Sequence, residues 1–170
     1  LADRVSVARV VDEVKPQIVF HLASRVSGSR SMNEVMPTFI DNLTSTVHLL
    51  SAVTATRCTR LVLAGSLEAS TDAPPSSPYA AAKAAASTYA RMFHALYQTP
   101  VTIARLFMVY GPGQRDDRKL VPYVATSLLK GQSPQLSSGV RPVDWVYIDD
   151  VVEALMRCAI TPGLEGQTID

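Results

Sequence analysis

The chain has 170 residues, 47% of them apolar, and a formal net charge of +1. That is enough apolar material for one core, and the scattered Lys and Arg residues form no basic stripe, which excludes a nucleic-acid or membrane-surface partner on electrostatic grounds. No apolar run approaches the ~18 residues needed to span a bilayer, and Cys58 and Cys158 lack metal-ligand spacing, so a cytoplasmic, reducing setting without a metal is expected.

In chain order, residues 4–14 read as a helix stopped ahead of Pro16. Residues 18–24 form a short apolar strand that ends in a hydroxyl residue, Ser24, with His21 as a hydrogen-bonded core residue inside it. A long helix is predicted over 37–55. A second apolar strand, 61–66, also ends in a hydroxyl residue, Ser66. A Ser/Thr/Pro-rich loop follows, then a helix over 79–97 and a strand over 101–107 that runs into Tyr110-Gly111-Pro112-Gly113. Helices over 120–130 and 148–159 complete the pattern. Strands alternating with helices predict βαβ units and a parallel sheet. Sites in such open α/β sheets lie at the carboxyl ends of the strands.

Residues 79–83, Tyr79-Ala80-Ala81-Ala82-Lys83, carry the chemistry. Positions i and i+4 share a helix face, so a phenol and an ammonium stand one turn apart. A phenol ionises near pH ~10, and a neighbouring cation lowers that value. Such a pair can move a proton on or off a hydroxyl.

Six segments then follow one another in a familiar order: Val19-Phe20-His21-Leu22-Ala23, Asn42-Leu43-Thr44-Ser45-Thr46, Ser66, Pro78-Tyr79-Ala80-Ala81-Ala82-Lys83, the run from Arg105 to Gln114, and the run from Asp144 to Val151. In these the chain resembles an extended short-chain dehydrogenase/reductase of the NAD-dependent nucleotide-sugar epimerase and dehydratase branch. The resemblance implies a Rossmann-like, doubly wound parallel sheet whose first strands and Gly-rich turn are missing. Residues 1–110 would be a partial dinucleotide-binding domain. Residues 111–170 would contribute to the substrate side and the last sheet elements. The chain is expected to be a fragment of a longer enzyme, with strand 18–24 left as an unpaired apolar edge that makes it marginally stable or oligomeric.

Carried over residue by residue, the resemblance implies that Tyr79 is the acid/base on a sugar hydroxyl, that Lys83 bonds the nicotinamide ribose and lowers the Tyr79 pKa, and that Ser66 orients the same hydroxyl. Leu22, Ala23, Ser24, Asn42 and Phe107 would lie along NAD, with NADP not excluded. Glu68, two residues past Ser66, matches the base of the 4,6-dehydratases, although Leu67 stands where many of them carry an acid. Met108 occupies a substrate-contacting position that is Asn in the family. Val143 occupies that of a diphosphate-binding Arg, for which Arg141 is a substitute two residues earlier.

Three activities are therefore open. The first is sugar-nucleotide epimerisation by transient oxidation. The second is 4,6-dehydration with Glu68 as base. The third is a plain dehydrogenase or reductase acting on a substrate without a nucleotide, which the changes at Met108 and Val143 favour. A homodimer through the helices 37–55 and 79–97 is expected from the resemblance.

Overall fold

Helix α1, Arg4–Val14, is held at both ends by local chemistry. The Asp3 carboxylate accepts from the Val5 and Ser6 amides, and Lys15 closes the helix in the left-handed region at φ 49°. Strand β1, Ile18–His21, follows. The computed structural model describes residues 1–69, 73–136, 139–140 and 143–170.

The helix predicted over 37–55 is not one continuous α-helix. It opens with a 3₁₀ turn at Met32–Glu34 and a single α turn, α2, Val35–Thr38. It then widens into a π-helix at Phe39–Thr44 and tightens into α3, Ser45–Thr54. Strand β2 is Arg60–Ser66 and α4 is Pro78–Tyr97. Ser77 caps α4 by accepting from the Ala80 amide, with Pro78 at the first helical position, where its missing N–H costs nothing. Strand β3 is Val101–Leu106.

Two compact units form: residues 1–106 with 155–170, and residues 107–154. The second contains β4, Met108–Tyr110, α5, Leu120–Leu129, β5, Trp145–Tyr147, and the start of α6, Ile148–Ile160. The end of α6 and the two-residue strand β6, Thr168–Ile169, return to the first unit.

The first unit carries a parallel sheet in the order β1-β2-β3-β6. Ile18 pairs with Arg60, Leu61 with Val101 and Ile103 with Thr168. All seven residues of β2 are buried, as befits a central strand covered on both faces. Leu61 and Leu63 point to one face, against Val7 and Val11 of α1, Leu49, Leu50 and Val53 of α3, and Ala90 and Phe93 of α4. On the other face the buried Arg60 guanidinium donates to Thr102 Oγ1 and the Cys158 carbonyl, both at 3.0 Å. It also reaches the Thr161 carbonyl and pairs with Glu165. These bonds clamp the C-terminal segment under the foot of β2, so β6 can join β3.

Strand β1 pairs only with β2 among the described residues. Ile18 and Phe20, on the same side of the strand, are each 38% exposed. An open apolar edge templates association. The chain is therefore expected to self-associate as its concentration rises, and Phe20→Lys to suppress this. Sedimentation at several concentrations checks it; a monomer across the range would defeat the argument.

In the second unit, β4 and β5 run parallel, pairing Met108 with Trp145 and Tyr110 with Tyr147. Tyr110 meets the Tyr147 ring edge-on at 5.6 Å and the Trp145 ring at 6.2 Å between centroids. Gly111 is required there by close approach, because a Cβ would come within 2.4 Å of Ile148 Cγ2.

Candidate active site

The site is built at the carboxyl ends of β1 and β2. Ser66 is the last residue of β2, and its hydroxyl accepts from the Glu68 amide at 3.2 Å. Tyr79 lies in the first turn of α4, half-buried, close enough to Ser66 and Ser24 for their hydroxyls to favour its ionised form. Lys83, one turn on, is only 7% exposed. Its ammonium donates to the Ala64 carbonyl at 2.9 Å and sits 6.0 Å from the centre of the Tyr79 ring.

Burial dominates the acidities. It pushes Lys83 down to about 8. It also pushes Tyr79 up, with the Glu68 charge adding to the rise and the Ser66 and Ser24 hydroxyls opposing it. The expected lowering of the phenol by Lys83 does not enter this balance: the ammonium is turned onto a β2 carbonyl, and burial sets the direction of the shift.

Asn42 sits at the middle of the π-helix, 2% exposed. Its Oδ1 accepts from the Arg25 amide at 2.7 Å and from the Ser24 hydroxyl at 3.1 Å. Its Nδ2 donates to the Arg25 carbonyl at 3.0 Å. The π turn lets this side chain reach back to the loop after β1; such widened turns recur at functional sites. Below it, Thr46 donates to the Asn42 carbonyl at 2.6 Å and stands 2.9 Å from His21 Nε2. Because the Thr46 proton is committed, His21 Nε2 is the donor to Thr46, and the ring is the neutral Nε2–H tautomer. Burial, then the Lys83 charge, lowers the His21 pKa to about 4.

The structure thus gathers Ser24, Asn42, Ser66, Glu68, Tyr79 and Lys83 at one end of the sheet. Leu22 and Ala23 lie exposed just past β1, which ends at His21 rather than at residue 24. Glu68 is exposed. Phe107 and Met108 open the second unit, Met108 in β4 with its amide donating to the Asp144 carbonyl at 3.2 Å. Arg141 lies outside the described residues. The hydrogen bond from Ser24 to Asn42 escaped the sequence reading. Its one signal was that the segment after β1 carries a hydroxyl residue. Among the described residues no group of His, Cys, Asp and Glu can hold a metal ion, and no helix is long and apolar enough to cross a membrane.

Residues 1–168 match the family model described as the NAD dependent epimerase/dehydratase family. The chain belongs to that family. Relatives of known name fall on both sides of the family's title. A probable UDP-glucuronate 4-epimerase of Rhizobium meliloti is 30% identical over 182 aligned positions, covering 99% of this chain and 53% of that protein. A dTDP-glucose 4,6-dehydratase of Neisseria gonorrhoeae is 35% identical over 95 residues, covering 55% of this chain and 27% of that protein. Among solved structures, the dTDP-glucose 4,6-dehydratase DesIV of Streptomyces venezuelae, crystallised with NAD bound, superposes with a TM-score of 0.81 at 28% identity, over 98% of this chain and 54% of that one. The chain spans about half the length of the relatives it matches from end to end. The family's α/β, Rossmann-like fold accounts for the parallel sheet and for a site at its strand ends.

Proposed function

We propose that this chain carries the catalytic groups of an NAD-dependent nucleotide-sugar epimerase that works by transient oxidation of a substrate hydroxyl. The observation that carries the reading is the half-buried Tyr79 with the buried Lys83 ammonium one turn away, both at the carboxyl end of strand β2, which finishes in Ser66. The residues present fit NAD. An ammonium has three protons and Lys83 commits one to Ala64, leaving two for the hydroxyls of a ribose. Leu22, Ala23 and Ser24 offer an exposed strand end for the dinucleotide, Asn42 braces it, and Phe107 is its remaining neighbour by family position.

NAD, when bound, supplies the acceptor and donor of the hydride. Tyr79 Oη takes the proton of the sugar hydroxyl as that carbon is oxidised, and returns it when the ketone is reduced from its other face. Ser66 orients the hydroxyl. Lys83, charged below pH about 8, stabilises negative charge at the site. Met108 and Arg141 are proposed on the substrate side. The working protein is proposed as a cytoplasmic homodimer, supported by the buried free thiols Cys58 and Cys158 and by an apolar groove of about 590 Å³ lined by Val35, Phe39, Leu43, Ala81 and Ala85.

The second reading, a 4,6-dehydratase, is favoured by Glu68, whose charge acts on Tyr79. Oxidation at C4 acidifies C5, and a carboxylate then suffices as base. The test is incubation with NAD⁺ and UDP-glucuronate, UDP-glucose or dTDP-glucose, with the products resolved by proton NMR. A 4-epimer supports the first reading and a 4-keto-6-deoxy sugar the second. If neither forms and NADH accumulates with product, a simple dehydrogenase replaces both. Glu68→Gln is expected to leave epimer formation within about threefold of the unsubstituted chain; in a dehydratase it would remove a general base worth roughly 10²–10⁴ in rate.

A further inference from the structure

We propose that Thr46 and His21 are positioning residues for the cofactor side of the site: the threonine hydroxyl, oriented by the imidazole, holds the π turn that aims Asn42 at the loop after β1. This rests on the reading given above that places NAD along Leu22, Ala23, Ser24 and Asn42, and it assigns a part to two residues outside that set.

The π turn changes which groups serve the helix carbonyls. In an α-helix the Ser45 amide would bond the carbonyl four residues back, that of Asp41; here it bonds Ile40. The Asp41 carbonyl takes the Ser45 hydroxyl, and the next carbonyl, that of Asn42, takes the Thr46 hydroxyl at 2.6 Å. Two successive carbonyls are thus served by side-chain protons where the π turn tightens into α3. A hydroxyl bonded four residues back is an ordinary helix feature, and Ser45 shows nothing more than that. Thr46 differs, because a second element acts on it. His21 Nε2 stands 2.9 Å from its oxygen, with His21 4% and Thr46 2% exposed. Thr46 has given its proton to Asn42, so the ring is the donor. A helical threonine divides between two rotamers, and the His21 donor fixes the one whose proton reaches Asn42.

Positions 42 and 46, four apart on one helix face, hold the segment after β1 from both sides. Thr46 takes His21, the last residue of β1. Asn42 takes the Ser24 hydroxyl at 3.1 Å and both main-chain groups of Arg25, the amide at 2.7 Å and the carbonyl at 3.0 Å. Leu22 and Ala23 lie exposed between these two anchors. Removing the Thr46 hydroxyl cuts the bond to the strand and the bond to the Asn42 backbone together, so the Asn42 amide loses the support that aims it at Arg25.

The test follows the Arg25 amide, whose acceptor is Asn42 Oδ1, by ¹H–¹⁵N NMR without NAD⁺. Thr46→Val keeps the shape and removes the hydroxyl. It is expected to speed hydrogen exchange at Arg25 about tenfold, the worth of roughly one hydrogen bond, and to move the amide proton upfield as its bond to Asn42 lengthens. A loss of global stability alone moves neither the shift of the folded chain nor an amide that exchanges by local opening. Thr46→Ser, which keeps the hydroxyl, is expected to restore both. His21→Leu is expected to act in the same direction as Thr46→Val, and His21→Gln, which keeps a donor, to restore the signal. If the valine variant does not fold, Thr46→Cys, a weaker donor, read against Thr46→Ser carries the same comparison with a smaller change. An Arg25 amide unmoved in Thr46→Val, or not recovered by Thr46→Ser, overturns the proposal. With NAD⁺ added, Kd for Thr46→Val is expected to rise about tenfold over that of the unsubstituted chain. An unchanged Kd beside a released Arg25 also overturns it. Failure of the unsubstituted chain to bind NAD⁺ would overturn the cofactor reading alone, because the Arg25 measurement needs no NAD⁺.

Discussion

Tyr79→Phe is expected to slow product formation by a factor of roughly 10²–10⁴, the usual worth of a positioned general acid/base, while melting and NAD⁺ binding stay close to those of the unsubstituted chain. The reasoning is local. Tyr79 is half-buried, so the Phe ring keeps its packing in the first turn of α4. The neighbouring hydroxyls are satisfied without the phenol: Ser24 donates to Asn42 and Ser66 accepts from the Glu68 amide. The stability cost is therefore expected to stay within about 1 kcal/mol. On the proposed mechanism the kinetic cost is far larger, because among the described residues no other group is positioned to take up the proton of a substrate hydroxyl; Glu68 is exposed beyond β2 and Lys83 is turned away. The loss should fall on kcat with KM little changed, since the proton moves only in the transition state. Turnover of the phenylalanine variant within tenfold of the original would remove Tyr79 from the chemistry.

Part of this site was legible in the amino-acid sequence because its physics is short-range. The i, i+4 placement of Tyr79 and Lys83 needs only a helix, and a strand ending in Ser66 needs only an apolar run, so the Ser-Tyr-Lys group and its strand end were found together. The π turn around Asn42 was not legible. Its apolar spacing passes for an α-helix, and the widening accompanies hydroxyl-to-carbonyl bonds, Ser45 to Asp41 and Thr46 to Asn42, that periodicity does not register. The acidity of Tyr79 shifts in the opposite direction to that expected, because the sequence displays the neighbouring charge but neither the burial of the phenol nor the turn of Lys83 onto the Ala64 carbonyl. The resemblance alone placed the last sheet elements within residues 111–170; Thr168–Ile169 carry no pattern of their own, and the Arg60 bonds that hold their approach span about a hundred positions.

The second large effect is on stability in acid. His21 is 4% exposed, neutral, and held below its ordinary value of 6.5, at about 4, chiefly by burial and then by the Lys83 charge. A group whose folded pKa is depressed contributes stability that is complete above the unfolded pKa and lost as pH falls through the folded one. The window therefore runs from about pH 6.5 down to about 4. A shift of that size corresponds to about 3 kcal/mol at 1.36 kcal/mol per unit, a large share of the ~5–15 kcal/mol that holds a domain together. The loss should be seen at the site as well as in the melt. Protonating His21 places a second charge near the Lys83 ammonium, and the ring anchors Thr46, the residue that braces the Asn42 carbonyl. His21→Gln keeps a donor for Thr46 without a titrating ring, so urea unfolding measured from pH 7 to pH 4 should give a curve flatter than that of the unsubstituted chain by up to about 3 kcal/mol. Parallel curves would mean that His21 takes up its proton over the same pH range in the folded chain as in the unfolded one, and that burial does not hold the ring neutral.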